Sequence, residues 1–252
     1  AGARRFLQCP DGGRSYFPNR VPRTVTFSTE DSEDPYARLY ADTVVEAIGG
    51  LKLPRYGLAG YVRPNPSDAP TAAEAQQLES LSRAGQRLMG FCRTNLFKRL
   101  ESSGEAFLRS VERHALRNLV FIHALEKGLP IPIGPQDAEM LDPDLEDEDR
   151  EIDPHLFDDP DMEEDAGGDP PPDAAAADGL HSEISLREAA TRVYTLYQTQ
   201  YARRFRWLRP GLFRPALKKH LLEDAQSLIR LLDSAGAWRS DRDAKLAALL
   251  RL

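Results

Sequence analysis

Residues 137–173 contain 18 Asp or Glu and one base, Arg150, a local balance of −17. From Ile131 to Leu180 the sequence is dominated by Asp, Glu, Pro, Gly and an Ala run. Such a composition cannot bury enough apolar surface to offset the entropy of ordering. We therefore read 131–182 as a disordered acidic loop, which leaves two blocks, 1–130 and 183–252, to supply the fold. The net charge of −7 over 252 residues hides this asymmetry. Without 137–173 the body carries 32 basic and 22 acidic residues, a balance of +10 that suits a polyanionic partner if the charges share a face. With 41% apolar residues the chain can build a core, and no apolar run is long enough to span a membrane, so a soluble protein is expected. Cys9 and Cys92 stand far apart without a disulfide or metal spacing, which suits a reducing cytosol. A start at Ala1 and an amphipathic pattern still running at Leu252 read as a fragment of a longer protein.

Helix signals dominate both blocks. The first 30 residues read as extended, with a turn at Asp11-Gly12-Gly13 and alternation from Val21 to Phe27. Asp34-Pro35 starts a helix expected to run to Ile48, with Leu39, Val44, Val45 and Ile48 on its buried side. A Pro-rich connector covers Leu53 to Pro70. Thr71 and Glu74 then form a capping box ahead of the stripe Leu78, Leu81, Gly85, Leu88, Cys92 and Leu96. A second box, Ser102 with Glu105, places a tight helical corner after Leu100, and the next helix ends at Gly128. Past the acidic loop, Ser185 with Glu188 opens a helix running toward Phe205, which Arg209-Pro210-Gly211 breaks. A helix from Pro215 to Ala235 and a last one capped by Ser240 or Asp241 complete a mainly α fold with a short extended N-terminal segment.

Catalytic apparatus is not visible. The sequence has no Gly-x-x-x-x-Gly-Lys-Ser/Thr loop and no Gly-x-Gly-x-x-Gly, so it offers no cradle for nucleotide phosphates. His114, His123, His155, His181 and His220 show no ligand spacing, and no Gly-x-Ser-x-Gly elbow or Cys-His arrangement marks a nucleophile. The acids from Asp142 to Asp149 lack the glycine and terminal Glu of a calcium hand, so they read as a solvated charge run. Basic groups are the better candidates. Arg109, Arg113 and Arg117, at four-residue spacing, either track phosphates along a groove or form a solvated helix face. Arg203, Arg204, Arg206 and Arg209 alternate with Tyr201, Phe205 and Trp207, which serve either as stacking platforms for bases or as core. Arg93, Lys98 and Arg99 form a third basic group just before the corner. The acidic loop reads either as a spacer or as a mimic of nucleic acid lying on the basic body.

Several of these stretches resemble, in order, the region between the two RecA-like lobes of bacterial Swi/Snf-type superfamily-two helicases. Arg4-Arg5, Phe17-Pro18-Asn19-Arg20, Thr24 to Phe27 and Leu39-Tyr40 look like the segment leaving the first lobe. Leu96-Phe97-Lys98-Arg99-Leu100-Glu101-Ser102-Ser103, with Ala106-Phe107 behind it, is similar to the Leu-Leu-Lys-Arg-Leu-Glu-Ser-Ser signature of such enzymes. Trp238, Asp243, Lys245 and Leu246 to Leu252 resemble the helix feeding the second lobe. The resemblance implies 1–30 leaving the first lobe, a helical region at 31–130, the acidic loop at 131–182 and a second helical region at 183–252. It further implies a cytoplasmic ATP- and magnesium-dependent parent enzyme whose catalytic motifs lie outside this chain. The parent's partner would be nucleic acid, duplex DNA first, and this chain would add backbone contacts and lobe coupling. The reading set beside it is a non-catalytic helical adaptor that binds nucleic acid or protein, with the acidic loop as its regulator.

Overall fold

A computed structural model describes residues 6–8, 14–16, 22–27, 35–66, 69–133 and 182–251. The protein is mainly α-helical. The acidic stretch, with its loop and spacer readings, lies outside the described residues, as do Arg4, Arg5 and Phe17 to Arg20.

The extended N-terminal reading holds in kind but not in place. Strands β1 (Phe6–Gln8) and β2 (Arg14–Tyr16) pair antiparallel, Leu7 opposite Ser15, on either side of the Asp11-Gly12-Gly13 turn signal. Residues 22–27 carry no strand. Alternation shows that a segment can pleat, but a strand also needs a partner edge, and Pro22 removes one donor. The single helix expected from Pro35 to Ile48 is two helices, α1 (Pro35–Leu39) and α2 (Asp42–Gly50). Ala41 between them is extended. The break sends Tyr36 and Leu39 of α1 and Val44 and Ile48 of α2 into the core, while Val45 faces solvent at 47% exposure.

Helix α3 (Ala72–Ser102) opens on the expected capping box: Thr71 Oγ1 accepts from Glu74 N, and Glu74 Oε2 accepts from Thr71 N at 2.8 Å. Helix α4 (Gly104–Lys127) follows after one residue. The cap of this corner is Ser103 rather than Ser102, because α3 runs two residues beyond Leu100 and the extended backbone needed at an N-cap falls on Ser103. Helix α4 is the centre of the molecule and packs against α3, α5 (Glu183–Thr199) and α6 (Ala216–Ala235). From Leu116 to Ala124 its residues are buried almost all round, as a helix enclosed by three neighbours requires. Each fully buried Phe, Leu or Ile of α4, Phe107 and Ile122 among them, contributes about 1.5–3 kcal/mol. Gly128, at φ 65, ends α4 in the left-handed conformation, and Leu129 N returns to Ala124 O at 2.8 Å.

The second block corrects two boundaries and adds a sheet. Strand β3 (Ile131–Ile133) pairs antiparallel with β4 (Arg206–Leu208), so the body extends into the segment read as loop and buries Ile131 and Ile133. Helix α5 is capped by Ser182 instead of Ser185 and ends at Thr199 instead of continuing to Phe205. A short 3-10 turn at Ala202–Arg204 separates it from β4. Tyr197, Phe205, Trp207 and Tyr194 pack on one another, with Tyr197 and Phe205 stacked at 4.2 Å; Tyr194 is buried, and Tyr197 and Trp207 lie half-buried against the core. Helix α6 ends at Ala235–Gly236 as read. Helix α7 (Ala244–Leu249) is capped by Asp243, whose Oδ1 accepts from Leu246 N at 2.8 Å; Asp241 is occupied by Arg239. No helix among the described residues is long and apolar enough to cross a membrane.

Candidate functional site

Two places concentrate polar chemistry, and the ten basic candidates are divided between them and the surface. The first is the corner of α3 and α4, which carries Lys98 to Ser103. Gly104 N donates to the hydroxyl of buried Tyr36 at 3.1 Å, and Trp238 stands edge-on to Tyr36 at 5.1 Å between ring centres. Tyr40 stacks on Tyr36 at 5.8 Å and directs its hydroxyl at Leu100 O. Lys245 Nζ donates to Glu101 O and Ser102 O, covering carbonyls that the end of α3 leaves without helical partners. Segments from both ends of the described chain therefore converge on the signature. Lys98 points outward, and Arg99 is half-buried.

The second place is an interior polar cluster between α3, α4 and the connector at 53–57. Asp224 on α6, buried at 3% exposure, accepts from Lys52 N at 2.9 Å and Leu53 N at 2.7 Å. Burial pushes its carboxyl up, and these two N–H groups oppose that shift. Their grip holds Leu53 at φ 48, a left-handed conformation that a Leu adopts only at a cost. The next residues turn inward. Arg55 is 5% exposed, donates from Nε to Asn118 Oδ1 at 2.8 Å and meets His114 Nδ1 with Nη2 at 3.0 Å. A guanidinium cannot accept, so Nδ1 is the acceptor and the imidazole proton sits on Nε2, which faces Cys92 Sγ at 3.7 Å. Tyr56, under the Arg55 guanidinium, closes the cluster and acts on the ionisation of the Cys92 thiol.

This Cys-His pair was invisible in the sequence, yet it is not a nucleophile. A catalytic base must present a lone pair to the thiol, whereas His114 presents N–H. Burial also pushes the Cys92 thiol up, against the pull of Arg55. Burial first, and then Arg55, Arg117 and Arg99, hold His114 well below the ordinary imidazole value. Among the described residues no group of three or more His, Cys, Asp or Glu is placed to hold a metal.

The remaining basic candidates separate by location. Arg93 donates to Leu51 O at 2.5 Å. Arg109 is exposed and paired with Glu105 at 2.8 Å. Arg113 and Arg117 are both half-buried, and Arg117 Nε is shut off from solvent, so the stripe read as one face of α4 passes from solvent toward the interior. Burial, then Arg55, depresses Arg117 to about 10. Arg203 is exposed, Arg204 lies over the Tyr201 ring at 5.5 Å, and Arg206 sits in β4 opposite Ile133. Arg209 grips Glu74 through Nε and Nη2, both at 2.8 Å, and reaches Ala69 O at 2.9 Å. That grip holds the Glu74 carboxyl down to about 2 and locks the start of α3 to the segment after β4. Sequence reading passed over Arg55, Tyr56, His114, Asn118 and Asp224. The one signal for them was the polar run His114, Arg117, Asn118 on a helix otherwise apolar at that end. No family model matches the chain, and comparison with curated proteins and with solved structures returned no match.

The buried imidazole makes stability pH-dependent. His114 binds its proton less readily folded than unfolded, so its contribution is complete above the free imidazole value and is lost as pH falls below it. Urea midpoints at about pH 7.5 and about pH 5.5 are expected to fall toward acid, and His114→Gln to remove most of that fall. An unchanged slope in the variant would assign the acid sensitivity to other groups.

Proposed function

We propose that this chain is the helical region between the RecA-like lobes of a bacterial, cytoplasmic, ATP-dependent helicase or translocase of the Swi/Snf type, coupling the lobes and contacting the nucleic-acid backbone. The observation that carries this reading is the convergence at the signature. Tyr36 and Tyr40 come from the side that resembles the exit of the first lobe, and Trp238 and Lys245 from the side that resembles the entry to the second. All four meet at Leu100 to Gly104, so a displacement of either side is felt by the same helical corner. ATP and magnesium belong to the rest of such an enzyme. The sequence has no phosphate loop, and no step of hydrolysis is assigned to its residues.

Backbone contact is proposed for outward cations, Lys98 and Arg203 first, while Arg93 and Arg209 serve the fold. Binding to a duplex and to a single strand, measured over a salt series, tests this. The duplex is expected to bind at low salt, and Lys98→Glu with Arg203→Glu to weaken it about tenfold and flatten the log–log salt slope by about two. No binding at low salt, or binding indifferent to salt, would turn the reading to a helical adaptor for another protein.

A further inference from the structure

Arg55 is buried at 5% exposure, Arg117 is half-buried with its Nε shut off from solvent, and neither makes an ion pair among the described residues. The contacts of Arg55 are neutral: Asn118, His114 and the face of Tyr56, over which its guanidinium lies at 5.2 Å. Arg117 is more exceptional. Its Nε is buried and meets no hydrogen-bond acceptor among the described residues. Among the groups that act on it, Arg55 and Arg113 repel its charge, while Tyr56 and Tyr197 favour it. Asp224 feels the charge of Arg55, and its two oxygens accept from Lys52 N and Leu53 N. Arg93 and Arg99 add to the same positive environment around Cys92 and His114.

A buried donor without an acceptor costs about 1–3 kcal/mol, and crowding a second guanidinium beside it adds to that cost. Helix α4 nevertheless points Arg117 inward, at a position where Met or Leu would pack without either cost. Two neighbouring guanidinium forks, flanked by the hydroxyl-bearing rings Tyr56 and Tyr197, match the oxygens of a tetrahedral oxyanion. His114 fits the same purpose, since a neutral imidazole anchors Arg55 without neutralising it.

We propose that Arg117 and Arg55 form a binding site for one phosphate group between α3, α4, α5 and the connector at 53–57. The site does not depend on the nucleic-acid reading, because the phosphate can belong to a small molecule or to a nucleic-acid end.

Thermal unfolding in inorganic phosphate, against chloride at equal ionic strength, tests it. The melting temperature of the unaltered chain is expected to rise and saturate with phosphate. Arg117→Gln is expected to melt at or above the unaltered chain without phosphate and to lose the phosphate response, at least about tenfold in affinity. Arg117→Lys, which keeps the charge but not the fork, is expected to retain a weaker response and serves if the Gln variant does not fold. Broadening of the phosphorus resonance of inorganic phosphate by the protein gives an independent reading. Equal melting in phosphate and chloride, or an undiminished response in the variants, overturns the site. Single strands with a 5′-phosphate or a 5′-hydroxyl identify the source. Competition by the phosphorylated strand alone assigns a nucleic-acid end, and competition by neither assigns a small phosphate. Phosphate binding without any oligonucleotide binding keeps this site and rejects the nucleic-acid interface.

Discussion

Asp224→Ala is expected to destabilise the protein by about 3–5 kcal/mol, the largest loss foreseen for any single substitution here. The carboxylate is 3% exposed and is the acceptor for two consecutive amides, Lys52 N and Leu53 N. Truncation leaves both donors without an acceptor, at about 1–3 kcal/mol each when buried. It also loosens the hold on Leu53 at φ 48, a conformation of higher intrinsic energy that these bonds help to fix. Leu53 then relaxes, Pro54 and Arg55 follow, and Arg55 leaves Asn118 and His114. Asp224→Asn retains one acceptor oxygen but turns an NH2 toward the other amide, so its loss is expected to be about half as large. The Lys52–Glu223 pair on the surface beside it contributes little, and Glu223→Gln is expected to leave the urea midpoint nearly unchanged. Urea denaturation gives the free energies, and hydrogen exchange gives the mechanism. If the Lys52 and Leu53 amides remain protected in Asp224→Ala, the carboxylate is not what holds the turn.

Gly104→Ala is the second large effect, about 2–3 kcal/mol, and it comes from crowding instead of lost contacts. A methyl group at 104 would stand 2.2 Å from the Trp238 ring and 3.0 Å from Leu39 Cδ1. In an open helix the same exchange stabilises by about 1 kcal/mol, because Ala is the better helix former. Here the indole cannot simply withdraw, since its other contact is the buried ring of Tyr36. Its displacement would also disturb the hydrogen bond from Gly104 N to the Tyr36 hydroxyl. In a Trp238→Leu background the smaller side chain removes the obstacle, and Gly104→Ala is expected to become neutral or mildly stabilising. A double-mutant cycle reads the difference as a coupling energy. Equal losses in both backgrounds would show that the corner has room for a methyl and that Trp238 does not set it.

The elements readable from sequence were those that carry their own boundaries. Helix α3 announced its start through Thr71 and Glu74, and α4 and α6 announced their ends through Gly128 and Gly236. The stripe Leu217, Leu221, Ala225, Leu228, Leu232 gave α6 its inner face because helical period and burial coincide when one side of a helix is covered. The misread elements depend on distant chain. Nothing between Pro35 and Ile48 signals the break at Ala41, which follows from where Leu39 and Val44 must each pack. Strands β3 and β4 are three residues each, too short for periodicity to register. Arg206 to Leu208 reads as the tail of a helix until Ile131 to Ile133 is placed beside it.

The candidate site divides in the same way. Composition located an excess of cations in the body, and spacing located Arg109, Arg113 and Arg117 on one helix. Which of them meets water and which is drawn inward is set by the elements that pack on α4. Cys92 and His114 are separated by 22 residues and come together only because α3 turns back into α4 at Ser103. Arg55 belonged to a connector with no helical or strand pattern, and its role appears once Asp224, 171 residues after Leu53, fixes that connector from α6. The sequence by itself determined the helical class, the capping of α3 and the charge asymmetry, because propensity, capping and net charge are local or additive. The buried cluster, the corner gathering both ends of the described chain, and the inward turn of Arg117 were decided by tertiary packing. Desolvation and hydrogen-bond pairing depend on neighbours that only the folded chain supplies.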